Sequence, residues 1–169
     1  MKRHPGMRPH DIVVLLKMIA TQQDMLFKDL SQELFISPSE ISESLQRSRS
    51  AGLINYSKNQ VNRQSLFEFL EFGFKYVFPA QLGTINIGIP TSTGHEFMRR
   101  HFSLEAYYVW PDFNGTQKGT SVEPLYSNQV KAIQKDPLLY EMLALMDVLR
   151  LEKVREVNYA KEQLRKRIL

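Results

Sequence analysis

Apolar positions in the first half of this chain recur at helical spacing. Ile12, Val13, Leu15, Leu16 and Ile19 give a broad apolar face to a helix running from Pro9 or His10 to about Thr21. Pro9 suits its first turn, and Asp11 suits the positive end of its dipole. Leu26, Leu30 and Leu34 repeat every four residues with Phe27 beside them, which predicts a two-turn helix over Leu26–Leu34. The next six residues, Phe35 to Glu40, announce another helix. The Ser37 hydroxyl can accept from its free amides, Pro38 fits the first helical position, and Glu40 can reach back to complete a capping box. Ile41 and Leu45 turn inward, and Gly52 supplies the left-handed residue that closes the helix.

Beyond Gly52, Leu53–Tyr56 reads as a brief strand, Ser57–Gln60 as a turn and Val61 as a return strand. Asn62 can cap a helix from Arg63 to about Phe78, which Pro79 ends. Its six aromatic residues, Phe67, Phe69, Phe72, Phe74, Tyr76 and Phe78, predict cover on several sides. From Ala80 to about Ser127 glycine and proline interrupt every long period. Thr84–Ile89 and Glu105–Trp110 have strand character, so the region reads as an extended arm packed on helices. Asp136 then caps a helix starting at Pro137, with Leu138, Met142, Leu145 and Leu149 in one stripe. Val154, Val157, Leu164 and Ile168 mark a last, charged helix with a narrower apolar seam. The chain divides into residues 1–79, 80–127 and 128–169, and its class is mainly α with a little β.

Composition narrows the chemistry. The 169 residues contain no cysteine, which excludes a disulfide scaffold, a Cys-based zinc site and a cysteine nucleophile, and fits a reducing compartment; the cytoplasm is the expected location. The basic start and the short apolar run after it form neither a secretion signal nor a membrane span, so no membrane partner is expected. The net charge of +4 favours a polyanionic partner mildly. Its distribution is uneven: residues 1–80 hold 10 Lys and Arg against 8 Asp and Glu, residues 81–146 hold 5 against 6, and residues 147–169 hold 7 against 4.

Leu30 to Ile54, LSQELFISPSEISESLQRSRSAGLI, resembles the helix-turn-helix core of MarR-like and related winged-helix transcriptional regulators. Three positions depart from that pattern: Phe35 replaces a turn glycine, Ser31 replaces a small alanine, and the segment after Leu53 is short for a wing. The resemblance implies a winged helix-turn-helix with a short or truncated wing, followed by the arm and the C-terminal helices. It implies double-stranded DNA as partner, with base contacts from Ser39, Glu40, Ser42, Glu43, Gln46 and Arg47 on the outer face of the second helix, beside the capping Ser37. In such a helix Gln46 pairs with adenine, Arg47 with guanine, and Glu43 accepts from cytosine. Arg49, Lys58, Arg63 and the N-terminal Lys2, Arg3 and Arg8 are candidates for phosphate contact. The alternative for Leu26–Ile54 is a helical hairpin with a solvated outer face.

Regulators of this kind commonly bind as two-fold dimers. Leu138, Met142, Leu145 and Leu149, with Val157 and Leu164, are the candidate dimerisation residues, or else that stripe covers the aromatic helix of its own subunit. The expected function is that of a homodimeric, sequence-specific regulator, a repressor rather than an activator, needing no cofactor or metal. The competing expectation is an antitoxin-like or adaptor module that holds a protein partner. No enzyme motif is present, and neither the Ser92-Thr93-Gly94-His95 run nor the pair His95 and His101 is assigned a catalytic or metal role.

Overall fold

Local signals start several of the helices. A computed structural model describes residues 6–21, 26–57, 59–103 and 106–169. Helix α1 (Pro9–Thr21) begins where Asp11 accepts from the Arg8 amide at 2.7 Å. Helix α2 (Phe27–Leu34) follows, with Leu26 outside its first turn and exposed. Ser37 caps α3 (Pro38–Ser50) by accepting from the Glu40 amide at 3.3 Å. At the other end of α3, Gly52 adopts φ +76° while its amide bonds the Arg49 carbonyl and the Leu53 amide bonds that of Ser48. That pair of bonds satisfies carbonyls the helix would otherwise leave open.

Strands β1 (Ile54–Asn55) and β2 (Gln60–Val61) pair antiparallel in a two-residue ladder. Asn62 then caps α4 (Arg63–Phe72) through the Ser65 amide. The long aromatic helix expected over Arg63–Phe78 is divided at Gly73, beyond which only the short α5 (Phe74–Val77) continues. Its cover is also one-sided. Phe69, Phe74 and Phe78 meet edge to face with centroids 6.0 to 6.4 Å apart, whereas Phe72 and Tyr76 project into solvent.

The arm is more ordered than its composition suggests. β3 (Leu82–Thr91) pairs antiparallel with β4 (Tyr108–Pro111) and with β5 (Gln117–Val122), and β4 and β5 close the set in parallel. β5 was not anticipated, because Gln117-Lys118-Gly119-Thr120 has no apolar alternation. Glycine is required here: a side chain on Gly88 would overlap the Trp110 carbonyl, and one on Gly119 would overlap that of Tyr107. A 3₁₀ turn (Ser92–Gly94) and the short α6 (Glu96–Arg99) lead from β3 to β4; α7 (Gln129–Ile133), α8 (Pro137–Leu151) and α9 (Val154–Ile168) complete the chain.

Residues from nearly all these segments belong to or pack on one hydrophobic cluster, from Ile12 of α1 to Ile168 of α9. Met142, Leu145 and Leu149 of α8 and Leu164 of α9 are buried in it, with Val157 half-buried and only Leu138 exposed. The C-terminal stripe is therefore core of its own subunit rather than a dimer surface. The reason lies in partners the sequence does not advertise, since α8 packs at once on α1, α5, α9 and the end of β3.

Charged groups join these layers. Lys17 of α1 reaches Glu33 of α2 at 2.5 Å and Asp136, the cap of α8, at 2.6 Å. Its burial opposes the charge, but the hydrogen bonds from Asp136 and Glu33 prevail and raise its pKa above the ordinary lysine value. Asp147 of α8 accepts from Thr91 at 2.7 Å, from the Trp110 indole at 2.8 Å and from Arg150. This buried carboxylate fixes β3 and β4 against α8.

Candidate nucleic-acid interface

α3 is held from both sides. The turn before it places Phe35 at φ 55°, a conformation that costs a residue with a side chain on the order of 1 kcal/mol or more. Phe35 keeps it because its surroundings fix the turn: Asn128 donates to the Phe35 carbonyl, the Tyr126 hydroxyl donates to that of Leu34, and the Ser31 hydroxyl donates to that of Ile36. Ser31 thus gives the turn a bond that an alanine there would lack. On the inner side Ile41, Ser44, Leu45 and Ser48 are buried, where α3 packs on α1 and α2.

Arg47 is on that inner side. It is 4% exposed, donates from Nε and Nη2 to the carboxylate of Asp11, itself 0% exposed, and reaches Glu40 at 2.6 Å. Asp11 raises the Arg47 pKa above its ordinary value, against the cost of desolvation. His10 joins the cluster at 2.9 Å from Glu40, and Arg8 caps it from solvent at 3.2 Å. Partial burial opposes the charge on Glu40, but bonds from Arg47 and His10 hold its carboxyl below the usual carboxylate range. Two expectations are corrected here. Glu40 does not reach back to form a capping box, because Arg47, His10 and Arg8 claim its oxygens. Arg47 is not free to face bases, because its bonds to Asp11 and Glu40 hold it on the buried side of α3. The one available signal was Asp11, a lone acid beside the apolar run Ile12–Leu16.

What α3 leaves outside is Ser39, Ser42, Glu43 and Gln46, all exposed, with Glu43 64% so. Ser37 is exposed as the cap, its hydroxyl 3.1 Å from that of Ser39. The flanks carry the cations. Arg49 is half-buried and donates to Asn59 in the hairpin turn at 2.6 Å; Arg63 is exposed at the start of α4 and donates to the Ile168 carbonyl at 2.8 Å. Lys58, Lys2 and Arg3 lie outside the described residues.

Ser92 and His95 are engaged inside the fold. Ser92 is fully buried and its hydroxyl bonds Glu152 at 2.7 Å. His95 accepts from the Phe97 amide and packs edge-on against Tyr140, and burial lowers its pKa to about 4. Among the described residues no group of three or more His, Asp or Glu could hold a metal ion, and no helix is long and apolar enough to cross a membrane. No protein-family model, curated protein or solved structure matches this chain.

Proposed function

We propose that the protein is a sequence-specific, DNA-binding regulator of transcription, a MarR-like winged helix-turn-helix that reads duplex DNA through α3 as a homodimer and represses by occupying its site. One observation carries this reading: the outer row Ser39, Ser42, Glu43 and Gln46 is polar and uncovered, while the inner row of the same helix is locked into the core. A helix so presented, with a hairpin at its C-terminal end, fits a major groove about 12 Å wide. In this reading Gln46 addresses adenine, Glu43 accepts from the cytosine amino group, and Ser39 and Ser42 serve base or phosphate. Arg8, Arg49 and Arg63 supply phosphate contacts that position α3 without specifying sequence. With Arg47 withdrawn, guanine readout through that residue drops out. The β1–β2 hairpin, four paired residues in all, acts as a truncated wing.

Selection of bound fragments from random duplexes tests the proposal. A two-fold repeated site should emerge, and affinity for it should fall by on the order of 10² or more between ~50 and ~200 mM salt if about five phosphates are contacted. Recovery of no common sequence, with binding that ignores salt, ends it. The acidic character that Glu43 gives the outer row favours one second reading, an antitoxin-like or adaptor module in which the same surface holds a protein partner.

A further inference from the structure

We propose that Phe72, Tyr76 and Val77, on α4 and α5, form the apolar centre of the surface through which two copies of this chain pair; this rests on the homodimer reading above. These side chains are 67%, 73% and 54% exposed. Phe72 and Tyr76 are four residues apart across Gly73, where the backbone stays in the right-handed helical region and the Tyr76 and Val77 amides both bond the Gly73 carbonyl. The two rings therefore lie on one face. The rings of Phe69, Phe74 and Phe78 from the same segment interlock edge to face and hold its backbone, so little order has to be acquired on binding.

Area and charge both point to a second copy as the occupant. Two aromatic residues and a valine exposed to this degree offer roughly 300 to 400 Å² of side-chain surface, about the apolar centre of a standard interface of ~800 Å² per partner. The rest has to come from a polar rim, and the rim here carries both signs. Lys161 of α9 sits 5.7 Å from the Phe72 ring and 3.9 Å from Glu71, Lys75 sits 4.9 Å from the Tyr76 ring, and Glu68 lies one turn before Phe72. A two-fold axis brings the same patch against itself. A rim of one sign would repel its copy, whereas glutamates and lysines around one aromatic centre can pair across the axis. The α8 stripe, by contrast, is enclosed in the subunit's own core.

Sedimentation velocity of the full chain without DNA tests the assignment. The wild type is expected to sediment as a dimer at micromolar concentration. Phe72→Glu with Tyr76→Glu should weaken pairing by on the order of 100-fold or more and give a monomer. Phe113→Glu, an exposed ring on the β4–β5 connection, should remain dimeric. Circular dichroism and Tm are measured alongside, and Tyr76→Arg alone repeats the test with a change confined to the more exposed of the two rings. A monomeric wild type, a dimeric double variant, or equal dissociation in the Phe113 control overturns the proposal. A dimeric double variant moves the interface elsewhere and leaves the homodimer reading intact, whereas a monomeric wild type removes the homodimer as well; DNA reading by α3 is judged separately, by duplex selection and its salt dependence.

Discussion

Arg47 of α3 donates to both carboxylate oxygens of Asp11 of α1, Nε to Oδ2 at 2.8 Å and Nη2 to Oδ1 at 2.7 Å. Two parallel bonds between buried, opposite charges fix direction as well as distance, so the pair sets how α3 lies on α1. In the proposed function this makes Arg47 a positioning residue: it orients the helix that carries Ser42, Glu43 and Gln46 and touches no base itself.

Arg47→Ala should therefore act first on stability. It leaves the buried Asp11 carboxylate with only the Arg8 amide and the nearby His10 ring, and loss of the guanidinium from such a pair costs about 3 kcal/mol. Urea unfolding checks this. Replacing both partners with apolar residues of similar size should recover most of the loss, since the desolvation of both charges is then removed. An Arg47→Ala protein of unchanged stability with altered site preference would place Arg47 at the DNA after all.

Leu145→Glu separates core from interface. Leu145 is enclosed within its own subunit, so a carboxylate there has neither water nor partner, and the chain should lose its cooperative fold instead of becoming a folded monomer. Circular dichroism and sedimentation on the same sample distinguish these outcomes. A helical, cooperatively melting monomer would restore the α8 stripe as a dimer surface.

Stability should depend on pH through His95. Burial lowers the pKa of its imidazole from 6.5 to about 4 in the folded chain. The unfolded chain takes up the proton near 6.5 and the folded chain only near 4, so the contribution is complete above 6.5 and drains away as pH falls through that interval. The loss amounts to on the order of 3 kcal/mol. Urea midpoints across this range should show the decline in the wild type and a weaker one in His95→Gln. Titration of the His95 ring near 6.5 by NMR would contradict it.

Asp147→Ala should be among the most damaging substitutions in the C-terminal region. It removes the acceptor shared by Thr91 and Trp110 and leaves the buried Arg150 guanidinium without its carboxylate, at a cost of about 3 kcal/mol or more. Trp110, the only tryptophan, reports directly: its emission should be that of a shielded indole in the wild type and should shift to the red in the variant. An unshifted spectrum with wild-type stability would show that β4 does not depend on this carboxylate.

The starts and stops of the elements were written in the sequence because they depend on neighbours. Ser37, Asn62 and Asp136 each accept from an amide three residues ahead, and Gly52 closes α3 with bonds that span only a few residues. Any chain with those residues in that order meets the same donors and acceptors, which is why the frame of α1 to α3, the hairpin and α8 was legible. The facing of Arg47, the enclosure of Met142, Leu145 and Leu149, and the existence of β5 were not. Asp11 is 36 residues from Arg47, and Trp110 is 37 from Asp147. A periodic pattern says that a face will be buried or that a charge lies near one, but not by what; that is settled only when distant segments compete for the same apolar surface and the same carboxylates. Local hydrogen bonding determined where the helices of this protein begin and end, and packing across the chain decided which of their side chains remain free to meet a partner.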